Sequence, residues 1–447
     1  MPAAGPPQPS TAYLDHLADE TDERRRAAAV GPGPDSIDGG APRALADLVD
    51  AAASALEPEL ADVVRTLHAH PETAWAEHDS ARLLVDLLER HGISAEQGVF
   101  GAETAFRAEL GGGEGPTLVI CAEYDALPGI GHACGHNVIA ASGVGAFLAL
   151  RDVLRAADAP PGRVVLLGTP AEEGHSGKEV LARHGAFDGV DAAIMVHPYG
   201  VDVADQVWLG RRLLTWTFTG HSAHASAQPF MGRNALDAAN LAYQGVGLLR
   251  QQMPPVDRVH AIMVDGGTRP SIITERAEMR LYARSKYPDT LKDLSRRLDD
   301  VARGAALMTG TAVEITWDDG AHPSLPVRTN AALTSRWVAA QQRRGREVLP
   351  GGVVSETLAA STDFGNVSFR VPGMHPLIQV ADPSVALHTP EFAAAAGSER
   401  AVRAAVDGAA GLAATALDYL CDPALQAAVR DEFEAAGGAI DVPRYFD

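Results

Sequence analysis

The sequence predicts an α/β protein with a mainly parallel sheet, interrupted by a smaller inserted α+β unit. Three observations carry that expectation. Between Ala44 and Val207, apolar strand-like runs alternate with helix-period segments, the order that builds a parallel sheet covered on both faces. Near Val207 the pattern changes to strand alternation mixed with helices, and after Ala321 the first style returns. A chain of 447 residues is also too long for one ordinary core. The expected divisions are an N-terminal extension (1–43), a main domain in two pieces (44–207 and 322–447) and an insertion (208–321).

The elements follow in order. Residues 1–43 are rich in Pro and Gly around one charged, helix-compatible segment, DHLADETDERRRAAAV. ALADLVDAAASALEPELADVVRTLHAH has apolar residues at helical spacing. HDSARLLVDLLERHGI is a second helix, with Asp79 or Ser80 as N-cap and Gly92 ending it. TAFRAEL and TLVICAEY read as strands, and VIAASGVGAFLALRDVLRAA as a helix of small residues suited to close packing. RVVLLGTPAEEG is an apolar strand ending in acids, and DAAIMVHPYG one ending in His197. In the insertion, WLGRRLLTWTFTGHSAHAS, VHAIMVDGGT, ERAEMRLYARS and AVEITWDD read as strands; DAANLAYQGVGLLRQQM and DTLKDLSRRLDDVARGAAL read as helices. The closing part holds ALTSRWVAAQQRR, HPLIQV and an alanine-rich helical tail.

Composition narrows the partners. Formal charge is 37 − 58 = −21, which argues against nucleic acid or an anionic membrane as partner. A local cationic pocket could still take a small anion. There is no cationic start followed by an apolar run, and no stretch of eighteen consecutive apolar residues. Cys121, Cys134 and Cys421 are too few and too scattered for a disulfide framework. The expectation is a reduced, cytoplasmic protein that neither spans nor binds a membrane.

In open α/β sheets, reactive groups gather at the carboxyl ends of strands. Glu123 and Asp125, Glu172 and Glu173, and His197 all fall at such ends, and HACGH (132–136) lies just before a helix. On the residues alone, HACGH allows three readings. It is a metal loop with Cys134 and His136 pointing inward, a thiol nucleophile beside a histidine base, or a glycine turn with incidental histidines. Adding Glu172, Glu173, His197 and His388 favours the metal reading, because a thiol mechanism leaves two adjacent glutamates unexplained. Neighbours on an extended strand end point to opposite sides. One glutamate can then bind metal while the other faces a water and moves its proton.

The motifs PETAWAEHDSA, EYDALPGIGHACGHN, TPAEEG, MVHPYG, GHSAHAS, GGTRPSII, STDFGNVS and LHTPEF span about residues 55–430. In order and spacing the chain resembles the M20 metallopeptidases, in their amidohydrolase branch of aminobenzoyl-glutamate hydrolase and β-alanyl-lysine dipeptidase type. The resemblance implies a zinc-peptidase-like catalytic domain, a lid and dimerisation insertion, and two divalent ions, Zn²⁺ or Mn²⁺, with Co²⁺ also suited. It implies that Cys134 bridges the ions, with His136 and His197 on one and Glu173 and His388 on the other. Glu172 would be the general base and Asp125 the acid orienting a ligand. His224 would reach across a homodimer to the substrate's carbonyl oxygen, and Arg284 would bind the substrate carboxylate.

The resemblance leaves Glu123 outside the ligand set and His132 and His221 structural. Ser271 stands where the family usually has Asn, and Thr274 where it has Pro, so the grip of Ser271 on substrate differs. Asp363 falls near the site, either capping a helix or touching substrate. Trp75 and Trp208 are read as core or rim packing, and Lys178 and Arg183 as balancing charge. The implied substrate is an N-acyl or aryl-acyl amino acid or a dipeptide. The rival classes are a non-catalytic binding protein on the same scaffold and a Cys-dependent acyl transferase.

Overall fold

The structure, a computed structural model, describes residues 9–28 and 39–447. Its main sheet contains β1 (Ala95–Gln97), β2 (Phe106–Gly112), β3 (Thr117–Ala122), β4 (Gly162–Gly168), β5 (Ala192–Ile194) and, from the closing part of the chain, β11 (Gly373–Met374). The order is β1-β2-β4-β3-β5-β11. Pairs β4–β3, β3–β5 and β5–β11 are parallel, as expected; β1–β2 and β2–β4 are antiparallel. The cause of the reversal is chain length. Residues 113–116 alone join β2 to β3, and a parallel connection needs a crossover of about a dozen residues.

The segment DAAIMVHPYG does not form one strand. β5 stops at Ile194, and β6 (His197–Tyr199) leaves the main sheet to pair in parallel with β12 (Leu377–Gln379). His197 therefore sits at a fork between two sheets.

The helix Arg43–Ala55 begins the core, followed by Glu57–Ala69 and His78–Arg90. The last of these is not capped by Asp79 or Ser80. It starts at His78, and the Glu72 carboxylate, from the preceding loop, accepts the N–H of Asp79 (3.1 Å) and Ser80 (2.7 Å). Gly92 follows its end at φ 71°.

The helix His136–Arg155 is buried at 17 of its 20 positions, between the sheet and the long helix Glu399–Cys421. Its small residues have a geometric cause: a Cβ on Gly143 would lie 3.0 Å from Ala122 Cβ, and one on Gly145 would lie 2.9 Å from Ala409 Cβ. This helix is also long and apolar enough to cross a membrane, but 89% of its apolar stretch is buried inside the protein.

In the insertion, β7 (Gly210–Thr219), β8 (Arg258–Asp265), β9 (Arg276–Ser285) and β10 (Ala312–Trp317) form an antiparallel sheet in the order β10-β7-β9-β8. The helices Ala235–Leu249 and Pro288–Thr309 cover it over a core of its own that includes Leu214, Trp216, Phe218, Met279 and Leu298. In the N-terminal part, the helix Ala12–Ala27 buries only Leu17. The rest of that segment, 1–8 and 29–38, lies outside the described residues.

Candidate metal centre and its cleft

The site forms where the parallel strands end. β3 delivers Glu123 and Asp125, β4 leads into residues 169–173, and β5 leads to His197. Two of the delivering segments hold non-glycine residues at positive φ: Ala171 at 57° and His388 at 62°. Such strain concentrates at functional sites and persists only where surrounding bonds hold it. Here Glu77 Oε1 accepts the Ala171 N–H (2.9 Å), and Ala133 O accepts the His388 N–H (2.9 Å). Gly135, at φ 83°, turns HACGH back into its helix, and a Cβ there would meet Pro198 at 2.9 Å.

Six side chains converge there. Ligand atoms of Cys134, His136 and His197 lie within 4.8 Å of one another, as do those of Cys134, Glu173 and His388, and those of His136, Glu172 and Glu173. Cys134 Sγ is 3.5 Å from His197 Nε2, and His388 Nε2 is 3.3 Å from Glu173 Oε1. These are about the separations of two ligands on one tetrahedral ion with bonds of about 2.0–2.3 Å. Buried His136 Nε2 has no hydrogen-bond partner among the described residues, and Glu173 Oε1 has only the His388 contact. Sulfur, imidazole nitrogen and carboxylate oxygen suit Zn²⁺ and similar divalent ions. The donor set therefore fits a pair of ions sharing Cys134.

The supporting shell fixes ring orientations. His136 Nδ1 is 2.9 Å from Asp125 Oδ1, and His197 Nδ1 is 2.7 Å from the Pro198 carbonyl, so both rings present Nε2 to the cluster. The second Asp125 oxygen accepts the Glu173 N–H (2.9 Å), linking the two ligand groups.

Electrostatics separate the two glutamates. Burial and the adjacent Glu173 carboxylate push Glu172 well above the usual carboxyl range. At Glu173 burial acts upward too, but His388 and His136 outweigh it and hold the carboxyl below its usual value. Neighbouring acids pushed apart in this way are suited to different tasks. The Cys134 thiol is pushed well up by burial and by Glu173, and burial takes His197 down to about 4. His136 pulls the thiol the other way without outweighing burial, so the metal-free site disfavours the thiolate that the thiol reading of HACGH needs.

Behind the cluster, Lys178 and Glu123 form a fully buried ion pair, and Lys178 Nζ also bonds Asp363 Oδ1 (2.7 Å). Glu123 Oε2 lies 3.4 Å from His136 Nε2. Glu123 and Lys178 are thus packed against the cluster, closer than the sequence suggested. Arg183 faces away to Glu179 (2.9 Å). Asp363 does not line the cleft or cap its own helix Phe364–Ser368, but its Oδ2 accepts the backbone N–H of Lys178 (2.8 Å) in the first turn of the helix Gly177–Arg183, its Oδ1 holds the Lys178 ammonium, and its N–H donates to Glu172 Oε1 (3.3 Å). His132 is buried, neither ring nitrogen has a hydrogen-bond partner among the described residues, and burial lowers it to about 3.

A cleft of about 510 Å³ opens over this cluster. Cys134, Glu172, Glu173, His197 and His388 line it together with Arg211, Tyr282 and Arg284 from the insertion. Trp208 lines it as well, 5.3 Å from the His197 ring. Trp75 is partly exposed beside His175. His224 and Ser271 are not in this lining. They lie together in the insertion, where Ala225 N–H donates to Ser271 O (3.0 Å). His224 is exposed, and its Nδ1 accepts the N–H groups of Ser226 (3.3 Å) and Ala227 (3.2 Å), which leaves the proton on Nε2. His221 is exposed too, and its backbone pairs with Arg233.

Sequence reasoning missed Arg211, Tyr282 and Glu77. The signal for Arg211 was the GRR at the start of β7, in register with Arg284. Glu77 was visible only as an acid in PETAWAEHDSA. Burial and the Asp125 charge raise Glu77 from 4.5 to about 7. In metal-free protein the unfolded carboxyl ionises near the lower value and the folded one near the upper, so the folded state binds more protons between them and stability falls as pH rises. Glu77→Gln is expected to flatten that fall by about 1–3 kcal/mol, read by chemical unfolding across the window. An unchanged slope would assign the pH dependence elsewhere.

The sequence matches the family described as Peptidase family M20/M25/M40 over residues 119–414. An Xaa-Arg dipeptidase of Mus musculus is 40% identical over 88% of this chain and 92% of its own length. A p-aminobenzoyl-glutamate hydrolase component of Escherichia coli (strain K12) is 30% identical over 76% of this chain and 84% of its own. Among solved structures, a dinuclear metal-binding peptidase of the M20 family from Bacillus subtilis aligns with TM-score 0.63 at 22% identity, covering 81% of this chain and 99% of that one. That likeness speaks for the fold. On the family match and these identities, the chain belongs to peptidase family M20 and is a hydrolase of its metallo-amidohydrolase and dipeptidase kind.

Proposed function

We propose that the protein cleaves the amide bond of an N-acyl amino acid or dipeptide at a two-ion centre, with Glu172 as proton carrier. The observation that supports this most is Cys134, shared by two ligand groups, with Glu172 beside them. Cys134, His136 and His197 would hold one ion and Cys134, Glu173 and His388 the other. Divalent ions there supply Lewis-acid polarisation and acidify water.

The chain's own residues do the rest. A Glu172 carboxylate oxygen takes the proton from the attacking water and returns it to the amide nitrogen as the C–N bond breaks. Its buried setting suits that return, because it favours the protonated form. Asp125 keeps His136 oriented and fixes the backbone at Glu173. Arg284 pairs with the substrate's carboxylate. Relatives named for Xaa-Arg and for p-aminobenzoyl-glutamate share such a carboxylate beside the scissile amide.

The working unit is a homodimer. His224, with its proton on Nε2, is absent from its own cleft, so its place is the partner's, where it donates to the developing oxyanion. Ser271 accompanies it through the Ala225–Ser271 bond. Edge strand β8 supports pairing of two copies, with Ile262, Met263 and Val264 exposed. Three free thiols fit a cytoplasmic setting.

Chelator-stripped protein should be inactive against dipeptides and N-acyl amino acids. Activity should return with Zn²⁺, Mn²⁺ or Co²⁺ at about two equivalents per chain, read by metal analysis beside turnover. Hydrolysis that survives complete metal removal would sink the reading.

A further inference from the structure

Two arginines reach the cleft from the insertion without an acidic partner among the described residues. Arg211 is 7% exposed, and its one side-chain hydrogen bond among those residues is to Ser176 Oγ at 3.4 Å. Arg284 Nε is buried and has no hydrogen-bond partner among the described residues. The two are direct cross-strand partners in the β7–β9 ladder, so their side chains leave the same face. Arg258, on β8, is the partner of Arg284 on its other side. Its guanidinium donates to the carbonyls of Thr357 (2.8 Å) and Ala359 (3.3 Å), next to the cleft residues Ala360 and Ser361. A row of three cations thus crosses three strands of a protein whose net charge is −21.

This arrangement is costly by itself. Like charges directly opposite one another destabilise an antiparallel pair, and a guanidinium withdrawn from water needs an anion. The Tyr282 ring, 5.9 Å from Arg211 Cζ and 5.4 Å from Arg284 Cζ, offsets only part of that cost. The cleft's acids, Glu172 and Glu173, belong to the ligand groups. One substrate carboxylate satisfies one planar fork, and a second fork is left over.

Resting on the amidohydrolase reading above, we propose that Arg211 and Arg284 form a double-anion subsite, so that the preferred substrates are N-acyl or aminoacyl derivatives of glutamate or aspartate. Arg284 takes the α-carboxylate and Arg211 the side-chain carboxylate of the released residue. Ser361 Oγ, buried at the cleft and without a hydrogen-bond partner among the described residues, offers a further neutral donor.

The test compares one acyl group carried on glutamate, glutamine and arginine, using metal-reconstituted protein. The glutamate substrate should exceed the glutamine one by about tenfold or more in kcat/KM, with arginine lower still; a bidentate charged pair accounts for a difference of that size. Arg211→Met should collapse the glutamate-to-glutamine ratio, and Arg211→Lys should keep part of it. Calorimetric titration with free glutamate and free glutamine reads the same preference without turnover. Equal kcat/KM for the two substrates in the unaltered protein would overturn the subsite. So would an Arg211→Met variant that weakens both equally, which would put Arg211 on the shared α-carboxylate. Selective binding of glutamate with no hydrolysis of any substrate would support the subsite and instead sink the catalytic reading.

Discussion

Glu172→Gln is expected to lower kcat by about 10²–10⁴-fold while metal content stays unchanged. Glutamine keeps the shape of the side chain, and its amide oxygen can still accept the Asp363 N–H that now reaches Glu172 Oε1. It cannot take a proton from water or return one to an amine. Glu173, one residue away, is a poor substitute, because His388 and His136 hold its carboxyl below its usual value, in the ionised form. KM should change little, since the cationic wall of Arg211 and Arg284 is untouched. Metal analysis beside steady-state kinetics checks both halves; turnover retained with metal bound would remove Glu172 from the proposed role. The same variant also tests the dimer. Mixed with a His224→Ala chain, itself inactive, it should restore about a quarter of normal activity, because in half of the pairs one cleft combines an intact Glu172 with an intact His224 from the other chain. No recovery on mixing would place His224 outside the partner's cleft.

The sequence carried the fold where signals are local. Alternating apolar runs announced the main sheet, and the change of period near Val207 announced the β7–β10 unit. It failed where a long-range relation decides the outcome. The antiparallel setting of β2 follows from a four-residue connection read against strand order, and strand order is not visible in TAFRAEL itself. The split of DAAIMVHPYG depends on β12, about 180 residues away. The cap of the helix His78–Arg90 comes from Glu72, outside the helix. The site divides in the same way. Cys134, His136, Glu172, Glu173, His197 and His388 sit in short motifs at strand ends, where residue type and position point to one chemistry. Arg211 gains meaning only from its register with Arg284, and Lys178 only from its burial between Glu123 and Asp363. Neither relation leaves a periodic trace in the chain.

Cys134→Ala should abolish loading of the ion pair and bring hydrolysis to the background rate. His388→Ala should weaken one position alone. The difference follows from topology. Cys134 belongs to the group with His136 and His197 and to the group with Glu173 and His388, whereas His388 belongs to one. Losing the thiolate leaves two imidazoles in the first group and a carboxylate with an imidazole in the second, each short of three protein ligands, and only the group of His136, Glu172 and Glu173 keeps three, enough for one ion and not two. The empty centre then keeps several buried acids close together, with Glu123 and Lys178 behind them. Those acids repel one another without the ions, so metal-free protein and the Cys134→Ala variant should share a lowered Tm, while His388→Ala falls between them and the loaded protein. Isothermal titration with Zn²⁺ and thermal unfolding together check this. Cys134→Ala protein that still binds two ions per chain would exclude the bridging role and leave the thiol as packing at the base of the cleft.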